Sequence, residues 1–301
     1  MSGPNIRDKT TVVTLAKISS NDYVETPGTG DWEDVHDEYN HSTSFGWRGT
    51  GLRGHVFADE RNETIVLSLK GTSLGIIDRG ALHDKVNDNL FFSCCCGQGG
   101  QRLWRQVCDC SLPVVAPYTA NATCLAAEVR NPDRYYMASL ELYANVTAQY
   151  PTATNVWLTG HSLGGAIAAL LGMTTGLPTV TFQAVPAALP AQRLGLLLPQ
   201  SRGETVGTHV YNFGHTADPI YMGACNGYGS TCTWAGFAFE SVCHAGRRCV
   251  YDTVADKGWG MGISSHRILT VLREVLEVYD EVPACEWEDP ECEDCGMWQF
   301  M

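Results

Sequence analysis

Gly160-His161-Ser162-Leu163-Gly164 constrains the fold of this chain more than any other stretch. It follows a strand-like run, Asn155-Val156-Trp157-Leu158-Thr159, and opens a small-residue run from Gly165 to Gly172 that reads as a helix. A serine held on a sharp strand-to-helix turn presents its hydroxyl clear of the backbone, as a nucleophile requires. Such a turn has no room for side chains two positions to either side of the serine, which accounts for both glycines. The N–H of Leu163 then faces the oxyanion formed when an acyl carbonyl is attacked.

Gly71-Thr72-Ser73-Leu74-Gly75 repeats the same pattern after another strand-like run, Thr64 to Lys70. Context separates the two. Only Ser162 is followed at once by a compact Gly/Ala helix able to pack close to a sheet; Ile76 to Gly80 offers no such face. Ser162 is the expected nucleophile, against the blander reading of a glycine-rich turn that merely packs a helix.

A serine hydroxyl needs a base, and the base needs an orienting acid. On a strand-turn-helix elbow of this kind, that of an α/β-hydrolase, they follow in the order serine, acid, histidine. Asp218 stands in Gly214-His215-Thr216-Ala217-Asp218-Pro219, just after the strand expected at 209–213. That is where α/β sheets place active sites. Asp252 and Asp256 are the reserves, and a plain Asp-Pro turn is the alternative role for Asp218. His266, after Ser264-Ser265 at the start of the last expected helix, is the expected base, with His244 its rival. His209 lies within a strand, His215 stands too near Asp218, and His161 is expected to shape the elbow. Thr72 is the second expected oxyanion donor, through its N–H and its hydroxyl. The implied reaction is acyl transfer to water through an acyl-enzyme, and it calls for no cofactor and no metal.

Strand-like runs at Gly54–Ala58, 64–70, 155–159, 179–185 and 209–213 alternate with helix-like runs at 135–150, 165–172 and 266–279. The alternation predicts one α/β domain over residues 1–301 with a mostly parallel sheet. Thr11-Val12-Val13-Thr14-Leu15, rich in β-branched residues, reads as a further strand. Residues 93–127 form a cysteine- and glycine-rich insertion.

The formal charge of −13 argues against nucleic-acid binding. It also implies repulsion from anionic lipid at neutral pH, relieved in an acidic compartment. Thirteen cysteines predict disulfides, with an odd thiol free or paired between chains. Zinc is the weaker reading, because Cys292-Glu293-Asp294-Cys295 has no second such pair. Glycosylation sequons at Asn40, Asn62, Asn121 and Asn145 point, with the cysteines, to a lumenal or extracellular setting. No apolar run has the length of a membrane span and no signal peptide opens the chain, so it reads as an excised soluble region.

Lys70-Gly71-Thr72-Ser73, Thr159 to Ala166, Gly214 to Pro219 and the late His266 resemble, in order, the blocks of the class 3 lipases, an α/β-hydrolase family. The likeness is closer to the fungal vacuolar lipases that break down autophagic bodies. It is carried by Asn87-Asp88-Asn89-Leu90-Phe91-Phe92-Ser93-Cys94-Cys95-Cys96, by Tyr221 to Asn226 and by Glu288 to Cys295. From Gly46 onward the resemblance covers most of the chain. It implies a lipase or phospholipase acting on membrane phospholipids or acylglycerols at vesicle surfaces inside the vacuole, reached by the secretory and endosomal route. It also implies a lid, for which residues 73–92 fit by position and apolar content, and an N-terminal membrane anchor that this sequence does not match. The competing readings are a carboxylesterase for small soluble esters and a non-catalytic, disulfide-stapled binding module; oligomeric state is left open by all three.

Overall fold

The computed structural model describes residues 2–36, 38–73, 80–197 and 209–301. Runs rich in β-branched and aromatic residues become strands of one eight-stranded sheet. They are β1 (Asn40–Phe45), β2 (Gly54–Ala58), β3 (Thr64–Leu69), β4 (Asn155–His161), β5 (Thr179–Phe182), β6 (Val210–His215), β7 (Arg247–Tyr251) and β8 (Cys285–Trp287). The strands lie side by side in chain order. β3 to β7 pair parallel, while β1, β2 and β8 join antiparallel at the edges. Leu69 pairs with Gly160, His161 with Phe182 and Phe182 with Phe213. The loops after β3, β4 and β6 therefore leave the sheet at one edge, where an open α/β sheet carries its site.

Both faces of the sheet are covered. Val56, Leu67 and Leu158 face a core completed by α2 (Ala81–Phe91), α3 (Tyr135–Gln149) and α4 (Leu163–Thr175). Phe57, Val66 and Phe213 face the other core with α1 (Lys9–Asn21) and the helical run Ile268–Thr270 into Val271–Leu276. Neighbours such as Val56 and Phe57 serve opposite cores, which is the period-two signature of strands buried on both sides.

The strand expected at Thr11–Leu15 is instead part of α1. Asp8 caps it, accepting from the Thr11 N–H at 2.8 Å, and Val12, Leu15, Ala16 and Ile18 bury one face. Cap and tertiary burial together outweigh the modest strand preference of two valines and two threonines.

Of the segment expected as a lid, residues 74–79 lie outside the described residues. The rest is mostly α2, and Leu90, Phe91 and Phe92 are fully buried. Arg193 closes the end of this segment by donating to the carbonyls of Leu90 at 3.2 Å, Ser93 at 3.0 Å and Cys94 at 2.6 Å. Of the apolar residues of this segment that are described, Leu90, Phe91 and Phe92 belong to the core, whereas Leu82 is 48% exposed.

The insertion is tied by Cys96–Cys108 and Cys110–Cys124, and to the C-terminal segment by Cys94–Cys295. Cys225–Cys232, Cys243–Cys292 and Cys249–Cys285 complete the set. Cys95 is the odd thiol; burial pushes its pKa up to about 11. The two ends of the C-x-x-C pair, Cys292 and Cys295, enter different disulfides. Among the described residues the one metal-like cluster is Cys96, Cys108 and Cys110, whose sulfurs are all bridged.

Candidate active site

The elbow follows from close packing of backbone on backbone. A Cβ on Gly164 falls 2.0 Å from the Leu69 carbonyl oxygen, and one on Gly160 falls 2.7 Å from the same atom. Only glycine at both positions lets β4 turn into α4 this near β3. Between them Ser162 is held at φ 57° and ψ −128°, a strained conformation for a residue with a Cβ. Leu163 opens α4, so its N–H has no partner within the helix and faces the turn.

Three of the expected residues meet at this edge. The Ser162 hydroxyl lies 2.9 Å from His266 Nε2. His266 Nδ1 donates to Asp218 Oδ2 at 2.7 Å. Asp218 is fully buried, and its other oxygen accepts the Ile220 N–H at 2.8 Å. A neutral His266 with its proton on Nδ1 thus offers Nε2 as the acceptor for the serine proton.

Two further histidines hold the backbone that carries His266. His215 Nε2 donates to the Ser265 carbonyl at 3.0 Å, and His161 Nε2 donates to the His266 carbonyl at 2.8 Å. His161 Nδ1 accepts the Tyr23 hydroxyl proton at 2.6 Å. Burial, reinforced by His266, holds the His161 pKa well below the ordinary histidine value, so the ring is neutral and its tautomer is set by its two partners. Ser265 adds a tie from its hydroxyl to the Ala217 carbonyl at 2.7 Å, linking the histidine loop to the Asp218 loop. Tyr23 lies outside every sequence motif, two residues past the end of α1, so no local pattern marks it.

The rivals occupy structural roles. His244 donates to the Tyr221 carbonyl at 2.9 Å and is buried, which drives its pKa down to about 4. Asp252 caps the helix Thr253–Lys257, and Asp256 accepts from the Tyr279 hydroxyl. His209 Nε2 donates to the Gly172 carbonyl at 2.9 Å.

Gly71 abuts the elbow: a Cβ there falls 2.2 Å from the Tyr23 hydroxyl and 3.1 Å from Ser162 Cβ. The Thr72 hydroxyl donates to Asp88 Oδ2 at 2.7 Å. Its proton is therefore directed at Asp88, and the backbone N–H is the donor left for the oxyanion position. Asp88 is fully buried, and burial raises its pKa well above the carboxylate range. Ser73 is buried against the Lys70 ammonium and Arg53 Nη2, and its N–H donates to Asp84 at 2.9 Å. Ser73 is thus tied into a buried polar cluster.

Ser162, His266 and Thr72 line a cavity of about 830 Å³ whose other walls include Val24, Ile220, Phe237, Phe239 and Ile268. A largely apolar cavity ending on a serine and a histidine suits an acyl chain joined to a polar ester. Of the sequon residues, Asn40, Asn62 and Asn145 are exposed, while Asn121 is half-buried and caps the helix Ala122–Glu128. No described helix is long and apolar enough to cross a membrane.

Residues 119–176 match the family described as lipase (class 3). The whole chain is 55% identical to a Penicillium rubens protein named "Putative lipase atg15" and covers 45% of it. It is 50% identical to a Passalora fulva protein of the same name, again over the whole chain and 46% of that protein. The chain thus spans a little under half the length of these curated relatives. Among solved structures, the Lip2 lipase of Yarrowia lipolytica aligns over 81% of this chain and 78% of its own, at 18% identity and a TM-score of 0.43.

Proposed function

We propose that this chain, which matches the lipase (class 3) family over residues 119–176 and is 50–55% identical to two proteins named as lipases, is a serine ester hydrolase that releases acyl chains from membrane lipids. The observation that carries this reading is the hydrogen-bonded line Ser162–His266–Asp218 at the floor of the apolar cavity. In the proposed reaction Ser162 Oγ attacks the acyl carbonyl while His266 Nε2 takes its proton. Asp218 holds the imidazole in the required tautomer and offsets its charge. The N–H groups of Leu163 and Thr72 receive the oxyanion. His266 then gives the proton to the departing alcohol, and water, activated by the same ring, releases the acid from Ser162.

The finer reading places the substrate in phospholipid or acylglycerol vesicles inside the vacuole. It is supported by the resemblance to the fungal vacuolar lipases and by identity to the two named relatives along the whole of this chain. The disulfides and the exposed sequon residues Asn40, Asn62 and Asn145 fit a secretory route. Glycans on these asparagines are part of the proposal.

The test is fatty-acid release from phospholipid vesicles at acidic pH by the wild type, Ser162→Ala and Ser73→Ala. Loss confined to Ser162→Ala supports the proposal. Release by Ser162→Ala at the wild-type rate would overturn the assignment of the nucleophile. Turnover of short soluble esters without vesicle hydrolysis would favour the carboxylesterase reading.

A further inference from the structure

The chain carries 33 acidic residues, but none in 89–108 or in 219–239. Each holds a loop closed by a disulfide, Cys96–Cys108 in the first and Cys225–Cys232 in the second. The fold brings the two loops together. Trp104 Nε1 donates to Thr233 Oγ1 at 3.3 Å, and Asn89 Nδ2 donates to the carbonyls of both Arg105 at 2.9 Å and Gly236 at 3.0 Å.

Their joint outer surface is apolar and cationic. Trp234 is 70% exposed, Tyr228 83% and Leu103 51%. Trp234 is fixed in this position, donating its indole N–H to the Tyr228 carbonyl at 3.1 Å. Arg102 and Arg105 flank Leu103, both exposed, and neither forms an ion pair among the described residues. On the inner side of the same loop Thr231, Cys232 and Ala235 line the cavity that ends on Ser162.

We propose that the paired disulfide loops, with Trp234, Tyr228 and Leu103 as the inserting side chains and Arg102 and Arg105 as headgroup contacts, dock the molecule on an anionic phospholipid surface beside the cavity mouth. Tryptophan and tyrosine suit the boundary between acyl chains and headgroups, having an apolar ring and a polar edge. Guanidinium groups suit phosphate. The two loops carry no carboxylate between their disulfide-bonded cysteines, so Arg102 and Arg105 present a local positive charge on a chain of net charge −13, although Glu25 and Asp31 line the same cavity. Ordering the loops with disulfides and the Trp104–Thr233 contact lowers the entropic cost of docking.

The proposal rests on the lipid-hydrolase reading, but its test uses binding rather than turnover. Ser162→Ala protein is sedimented with vesicles of phosphatidylcholine containing phosphatidylserine. It should partition onto them, and adding Trp234→Ala with Tyr228→Ala should weaken that partition about tenfold or more. Arg102→Gln with Arg105→Gln should weaken it about fivefold per residue, the effect fading at high salt or on pure phosphatidylcholine. The same changes in Ser162-bearing protein should leave soluble-ester turnover and the melting temperature unchanged. If the aromatic variant melts lower, the arginine variant carries the test. No partition by Ser162→Ala protein, or partition unaffected by both sets, overturns the docking surface. Partition through Trp234 by a protein that hydrolyses no ester would leave docking standing and remove the hydrolase reading.

Discussion

The Tyr23 hydroxyl and His161 Nδ1 lie 2.6 Å apart, on the far side of the ring whose Nε2 holds the His266 carbonyl at 2.8 Å. Tyr23, just past the end of α1, thereby fixes which nitrogen of His161 carries the proton. Burial raises the Tyr23 pKa well above its ordinary value, so it remains an O–H donor across the working range. Tyr23→Phe leaves a buried Nδ1 without a donor and lets the proton move from Nε2, which releases His266. Stability should fall by about 1–2 kcal/mol, and kcat by roughly tenfold with KM nearly unchanged. A melting curve and initial rates on one soluble ester check both; equal kcat would mean that His266 is held without this tie.

Ser162 stores strain, with φ 57° and ψ −128°. Ser162→Gly removes the Cβ that makes this backbone costly, though glycine also gains freedom in the unfolded chain. The net gain should be about 1 kcal/mol in stability together with complete loss of hydrolysis. Ser162→Ala, which keeps the Cβ, should lose hydrolysis without that gain. Equal melting temperatures for the alanine and glycine variants would show the turn to be unstrained.

Gly71 separates Tyr23 from Ser162, and any Cβ there overlaps the Tyr23 hydroxyl, at 2.2 Å, and the His161 carbonyl, at 2.5 Å. Gly71→Ala must move the Thr72 N–H or turn the serine. A displacement near 1 Å in such a site costs on the order of 100-fold in rate. Steady-state kinetics should show the loss mainly in kcat, with the sheet intact by circular dichroism.

What the sequence disclosed and what it hid divide along the range of the interactions. The elbow, the loop at Asp218 and the parallel strands rest on short stretches whose residue types answer to local geometry: Gly160 and Gly164 must be glycine because Leu69 is so near. The chain order of Ser162, Asp218 and His266 singled out residues that the sheet brings to one edge. By contrast, Tyr23 meets His161 across 138 residues, and nothing adjacent to it announces the contact. Asp88 stands within the Asn87–Cys96 block, but its hold on Thr72 depends on how α2 docks. α1 was misread because cap and burial, not β-branching, settle its conformation. β1 was missed because its residues are polar and alternately exposed at a sheet edge.

Cys94–Cys295 joins the end of α2 to the C-terminal segment across 201 residues. Replacing both cysteines by serine frees the unfolded chain of a long closed loop. The expected loss is about 5 kcal/mol as an upper bound from chain entropy, or roughly 10 °C in melting temperature for a domain of this size. Cys225→Ser with Cys232→Ser, which opens a loop of sequence separation 7, should cost less. Calorimetry of the two variants compares them directly; equal losses would mean that native contacts, not loop length, govern the effect.

Glu240 is largely buried, and burial pushes its pKa up to about 7, while its carboxylate accepts the Cys94 N–H at 2.7 Å. A folded-state pKa above the unfolded value means that the folded protein binds the extra proton. Its stabilising effect is present in full at low pH and is lost as pH rises from about 4.5 to about 7. Burial acts oppositely on His55, lowering its pKa to about 4, so its contribution is lost as pH falls from 6.5. The two groups offset each other across the mildly acidic range. Glu240→Gln keeps an oxygen for the Cys94 N–H and removes the titration. It should therefore match the wild type near pH 4.5 and exceed it above pH 7, by about 2 kcal/mol after allowing for partial exposure. Denaturant unfolding at pH 5 and pH 8 measures the difference. A gain at pH 5 as large as that at pH 8 would show that Glu240 is not the titrating group, and that its cost is one of packing.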